Sequence, residues 1–116
     1  MYPTNTQALK ISAKRRGSKW FDPGAMSFFN SRIEPEIYAL PANENGAIRG
    51  LFISSEKPGD AVIQGEWVTT PRAWSVRIFV LSETDFSIDT VGDFMGHETL
   101  PLAVAAALDF VKRATE

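Results

Sequence analysis

Residues 73–81 read Ala-Trp-Ser-Val-Arg-Ile-Phe-Val-Leu, and this stretch constrains the fold more than any other. Trp74, Val76, Ile78 and Val80 alternate with Ser75, Arg77 and Phe79. Period-two alternation places successive side chains on opposite faces of a strand. One face of this strand is apolar throughout, so it needs neighbours and cover. The neighbours are legible. Ser82-Glu83-Thr84-Asp85 is a turn, and Phe86–Phe94 returns with Phe86, Ile88 and Phe94 on one side. Met95-Gly96-His97-Glu98 is a second turn. Upstream, Glu36–Leu40 and Ile48–Ser55 form a hairpin around Asn43-Glu44-Asn45-Gly46, whose Asn-Gly accepts positive φ. Lys57-Pro58-Gly59-Asp60 is a loop, and Ala61–Thr70 is a weaker extended piece that contains Trp67 and stops at Pro71.

The cover is helical. Thr99 is the expected N-cap of a long helix ending near Ala114, with Pro101 in its first turn and Lys112 and Arg113 in its last. Leu100, Val104, Leu108 and Val111 are its expected buried stripe, with Ala107 filling close contacts. A shorter helix starts at Asp22-Pro23, runs to about Arg32 and is ended by Pro35. Met26, Phe29 and Ile33 share one of its faces, which leaves Phe28 as an exposed aromatic contact. Tyr2–Gly17 has two readings: a strand from the alternation of Leu9, Ile11 and Ala13, or a helix capped by Thr6. The expected fold is α+β: an antiparallel sheet of three to four strands, with a short N-terminal helix and a long C-terminal helix packed on one face. Residues 1–19 are read as a basic arm and 20–116 as one domain.

Composition narrows the function. A chain of 116 residues with 44% hydrophobic and 22% charged residues is of a size and composition to bury a core of its own. It has no cysteine, which removes disulfides, zinc–thiolate sites and thiol nucleophiles. Met1–Lys19 lacks an apolar signal-peptide region, and Leu100–Leu108 is too short to span a bilayer, so a cytoplasmic location is expected. The net charge of −2 is divided unevenly: residues 1–21 carry +5 and the remainder −7.

Four segments, WFDPGAMSFFNSRI, LFISSEK, WSVRIF and SIDTVGDFMGHETLPLA, together resemble a group of small uncharacterised proteins of phages and other mobile elements. In that group a pattern like W-F-D-P-x-x-M-x-F-F-x-S-R-I precedes a strand ending S-S-E, a strand with V-R, and a D-T-V-G-x-F strand leading into a helix. The likeness runs from about Trp20 to Leu108. It departs between Pro41 and Ile48 and across Pro58–Pro71, and the basic arm lies outside it. The resemblance implies a fold and a setting in a phage or integrated element, and no activity. Proteins in that setting often bind and block host machinery, CRISPR defence complexes included.

Chemistry is sparse in the sequence. His97 is the sole histidine and reads as a turn or capping residue. Ser54, Ser55 and Glu56 read as a strand end, since no nucleophile elbow or second base accompanies them. No phosphate-cradling glycine motif is present. No catalytic residue, metal ligand or cofactor is therefore expected. Two surfaces remain. Asp85, Asp89 and Asp93 share a strand face in an acidic run, read either as a solvated edge that blocks strand addition or as a docking stripe for a basic surface. Full mimicry of DNA would want more than a net −2. Lys10, Lys14, Arg15, Arg16 and Lys19, followed by Trp20-Phe21, are read either as a solvated terminus or as a nucleic-acid contact. The expected function is a non-enzymatic interaction protein that binds and inhibits or modulates a host protein or protein–nucleic-acid complex. The alternative is a small nucleic-acid-binding accessory protein that uses the basic arm.

Overall fold

A computed structural model describes residues 2–116. Helix α1 is Thr6–Arg15 and α2 is Pro23–Phe28. The strands are β1 (Arg32–Ile33), β2 (Tyr38–Leu40), β3 (Ile48–Glu56), β4 (Ala61–Ile63), β5 (Glu66–Val68), β6 (Ala73–Leu81) and β7 (Phe86–Val91). Helix α3, Leu100–Ala114, closes the chain. The class is the expected α+β.

All strand pairings are antiparallel. The main sheet runs β1-β3-β6-β7, with β2 also on β3. Strands β1 and β2 occupy the same edge and are separated by Pro35, which has no N–H to give to a ladder. The freed Pro35 carbonyl instead accepts the backbone N–H of Thr6, at 3.1 Å, and so holds the start of α1. Strand β3 is the centre: seven of its nine residues are buried.

The two faces of the sheet have separate cores, so the expectation that the helices share one face is corrected. On one face Leu40, Leu51, Ile53 and Val76 meet Ala103 and Ala107 of α3. On the other, Phe52, Phe79 and Leu81 meet Leu9 of α1, with Trp20, Phe21 and Phe86 alongside, and α2 lies on this face too, its Ala25 and Met26 lining a cavity with Glu56 and Arg77. The physical reason is that β3 and β6 carry large apolar groups at both parities, Leu51 and Ile53 against Phe52, and Val76 against Phe79. Each fully buried phenylalanine contributes about 1.5–3 kcal/mol, too much to leave in water.

The segment read as a basic arm is thus a layer of the domain. Asn5, not Thr6, caps α1: its Oδ1 accepts from Ala8 N at 2.9 Å. Leu9 and Ala13 are fully buried, while Lys10, Lys14 and Arg15 face outward. Helix α2 has its expected cap, with Asp22 Oδ1 accepting from Ala25 N at 3.0 Å. That bond holds the Asp22 carboxyl below its ordinary pKa. The helix ends sooner than expected. Asn30 takes a φ of 46°, and Ser31 N returns to the Met26 carbonyl at 2.9 Å, which is the bonding of a Schellman stop. Ile33 accordingly belongs to β1, not to the helix stripe.

Helix α3 has Thr99 as its cap, and its contact stripe is rotated from the expected one. Ala103 and Ala107 are fully buried, Leu100, Val104, Phe110 and Val111 pack beside them, and Leu108 is 53% exposed. Two alanines let the helix approach the sheet closely, and Leu108, about 100° round the helix from Ala107, then faces away.

Candidate functional site

The sequence-derived residues are not brought together into one site. Asp85 closes the turn before β7, where its N–H bonds Ser82 Oγ at 2.9 Å. Asp89 lies within β7. Asp93 follows Gly92, whose φ of 73° has already ended the strand. All three are exposed, but they do not form a stripe on a single strand, because β7 stops at Val91. Phe28 is 67% exposed, as expected, and rests edge-on against Phe29. His97 acts through its backbone, exchanging hydrogen bonds with Trp74 at 2.8 and 3.1 Å to pin the connection before α3 to the start of β6.

The basic residues divide. Arg16 is committed to the fold: its Nε donates to the Ser82 carbonyl and its Nη1 to the Ser12 carbonyl, the latter at 3.1 Å. Lys10, Lys14, Arg15 and Lys19 are exposed, and none forms an ion pair among the described residues. Lys10 and Lys14 flank a groove of about 390 Å³ that is also lined by Ile11 and Trp20.

The largest exposed apolar feature lies elsewhere. Strand β3 and strand β6 are paired up to Glu56↔Ala73, and the chain between those partners makes an excursion through β4 and β5. Strands β4 and β5 pair with each other alone, in the register Val62↔Trp67, around a turn in which Gln64 and Gly65 have φ of 53° and 81°. Two consecutive positive φ values are the signature of a type I′ hairpin turn. Val62, Ile63, Trp67 and Val68 are all exposed, Trp67 by 76%. No other element packs substantially on this arm. The radius of gyration, 15.5 Å, exceeds the roughly 13 Å of a compact chain of this length, and the long axis reaches 52 Å.

A second unanticipated feature is polar. Beyond Phe52 and Phe79, the α1 side of the sheet changes character to Ser54, Glu56, Ser75 and Arg77. Ser75 Oγ donates to Glu56 Oε1 at 2.7 Å and accepts from Met95 N at 2.8 Å. Arg77 donates from Nε to Ser54 Oγ and from Nη1 to Thr90 Oγ1, at 3.1 and 2.7 Å. Its guanidinium lies 5.6 Å from the Phe21 ring centre and 5.3 Å from that of Phe94. Burial pulls the Arg77 pKa below its ordinary value, and the charges of Glu56 and Asp89 partly restore it. Across the sheet Arg72 Nη1 donates to Ser55 Oγ at 2.9 Å. Among the described residues no three His, Asp or Glu side chains meet in a way that would hold a metal ion. No described helix is long and apolar enough to cross a membrane.

Residues 5–108 match a family of unknown function, DUF7447. The chain belongs to that family. The DUF7447 match takes in α1, the arm and the polar end of the sheet, and stops within α3. No curated protein and no solved structure matches the chain. The segments 20–33, 51–57, 74–79 and 87–103 all contribute residues around the Arg77 cluster: Phe21 and Phe29, Ser54 and Glu56, Arg77, and Thr90 and Phe94.

Sequence reasoning missed both the arm and this cluster. The arm was readable only as one extended piece, since Gln64-Gly65 is a weaker turn signal than Asn-Gly. A clue was available in Val62 and Trp67, which sit symmetrically about that pair. The cluster depends on residues from Phe21 to Phe94 meeting in space, which no local pattern announces.

Proposed function

We propose that the protein works by binding, not by turnover, and that it grips a partner protein with the β4–β5 arm. The observation that carries this is Trp67, 76% exposed on a hairpin on which no other described element packs substantially. Contiguous exposed apolar groups mark interaction sites, and tryptophan is enriched among the residues that dominate binding energy. The setting implied by the resemblance, a phage or mobile-element protein that binds and modulates a host complex such as a CRISPR defence complex, calls for a surface of this kind. Phe28 and Asp93, at the end of the sheet from which the arm leaves, then serve as flanking contacts, while Asp89 and the more distant Asp85 add charge that steers encounter.

The test compares recovery of partner from host lysate by the wild-type protein, by Trp67→Ala, and by a variant in which residues 58–71 are replaced with a short turn. The expected outcome is a partner recovered at fixed stoichiometry by the wild type and lost from both variants. Equal recovery by all three overturns the arm as the grip.

A second reading has its own support in the exposed cations Lys10, Lys14, Arg15 and Lys19, which form no ion pair among the described residues and of which Lys10, Lys14 and Lys19 line grooves that Trp20 also lines. Such a surface suits a single-stranded nucleic acid, with bases stacked on the indole. Four phosphate contacts predict a log–log salt slope of about −3 for a single strand. A gel shift with generic single-stranded DNA at two salt concentrations separates the readings: a tight, steeply salt-dependent shift lost in Lys10→Glu with Lys14→Glu favours nucleic acid.

A further inference from the structure

Glu56 is 1% exposed, yet it receives one side-chain hydrogen bond, from Ser75 to Oε1. An ionised carboxylate offers about four acceptor positions on two oxygens, and burying it short of partners is unfavourable. No buried side-chain oxygen or nitrogen is sealed off without a partner among the described residues. The second carboxylate oxygen is therefore not fully sealed, and Glu56 lines a cavity of about 110 Å³ together with Arg77. Arg77 does not close the gap: it forms no ion pair with Glu56, its Nε and Nη1 are given to Ser54 and Thr90, and aromatic rings lie beside its guanidinium. Asp22 also lines the cavity, so its charged residues sum to one negative charge, while Phe21, Phe29 and Phe94 supply apolar walls.

We propose that this cavity binds a small cationic hydrogen-bond donor, an alkylammonium head group. Its N–H groups supply the donors that Glu56 lacks, its charge neutralises the lining, and its stem lies against Phe29 and Phe94. The space equals that of about four waters, enough for an ammonium and the last methylenes of its chain. A free amine and a lysine side chain of a bound protein share this chemistry.

The test is an NMR titration of the full chain, following the Arg77 Nε–H and the backbone N–H of Glu56 and Ser75. The probes are n-butylammonium, N-acetyl-lysine methylamide, 1-butanol and butyrate. Saturable shifts with the two ammonium probes, and none with butanol or butyrate, are expected. Tighter binding of the blocked lysine identifies a protein side chain as the source, and tighter binding of butylammonium identifies a free amine. In Glu56→Gln, which keeps the acceptor for Ser75, ammonium affinity is expected to fall about ten- to a hundredfold. Absence of saturable shifts with either ammonium probe overturns the proposal. So does an equal response to butanol, which marks an apolar hole, or an unchanged affinity in a folded Glu56→Gln. The butanol comparison uses the wild-type protein and stands whether or not the variant folds.

Discussion

Strands β3 and β6 form one antiparallel pair, and β4 and β5 form another nested inside the first. The outer pair is joined over nine register positions and the inner over three. The outer pair has helices on both faces and holds Phe52 and Phe79 at 0% exposure. The inner pair has no described helix or strand packed substantially on either face, and each of its six residues is exposed. Both pairs carry aromatic and β-branched residues, so local propensity does not separate them. Cover does. A ladder alone is marginal in water, and a third layer makes it a core. A hairpin that keeps the cross-strand pair Trp67 and Val62 on one face without a third layer is shaped for one supplied from outside.

The largest expected effect tests the buried member. Phe52→Ala removes a ring that stacks on Trp20 at 5.5 Å and packs with Phe79, and is expected to destabilise by about 3–5 kcal/mol. Chemical denaturation read by tryptophan fluorescence measures it. A loss below that of an ordinary surface substitution would mean that the α1 side is not a true core.

Next come two changes that add atoms where the body is tight. A Cβ on Gly50 would meet the Tyr2 hydroxyl and, at 2.6 Å, the Phe79 ring. Gly50→Ala is therefore expected to cost about 1–3 kcal/mol, and Ala107→Leu, beneath α3, a similar amount. Denaturation midpoints check both. Gly65, at the tip of the arm, has nothing within 4 Å of its Cβ position, and only its φ of 81° resists substitution. The two glycines sharpen the contrast: one is required by neighbours, the other by its own backbone.

These pairs also show what was legible in the sequence. Ala73–Leu81, the Asn43–Gly46 turn and the caps at Asp22 and Thr99 were readable because each is set by chemistry within a few residues. The division of helices between faces was not. It depends on Phe52 and Phe79 being too large to leave uncovered while Leu51 and Val76 claim the opposite side. Leu108 was misplaced for a related reason. A three-four stripe through Leu100, Val104 and Leu108 fits the sequence as well as one through Ala103 and Ala107, and close approach to the sheet selects the smaller residues. Of the binding surfaces, the basic residues were visible as composition, but their seating on a buried helix was not. The Glu56–Arg77 cavity was invisible, since Ser54-Ser55-Glu56 looks like an ordinary strand end until Arg77 and Phe94 arrive beside it.

Leu108→Ala follows from the rotated stripe. With the side chain 53% exposed, it is expected to cost well under the about 2–5 kcal/mol of a buried leucine. A cost within that range would restore the original stripe and require α3 to turn by about one residue.

The smallest effect is expected from the largest deletion. Replacing residues 58–71 with a short turn removes the whole inner pair, yet it should lower stability by no more than about 0.5 kcal/mol, the range of surface substitutions away from buried features. The ladder it interrupts already ends at Glu56↔Ala73, two partners close enough to be joined by a tight connection. Arg72 is retained because it donates to Ser55 Oγ and to the Asn30 carbonyl, at 2.9 and 3.0 Å. Shortening the loop about fourfold also lowers its closure entropy, by roughly 1 kcal/mol, which works in favour of the variant. Thermal denaturation beside the lysate recovery described above gives the decisive pair of readings. Unchanged stability with lost partner recovery means that the arm serves binding alone. A large loss of stability would mean that the arm supports the body, and the difference between the two strand pairs would then be one of degree.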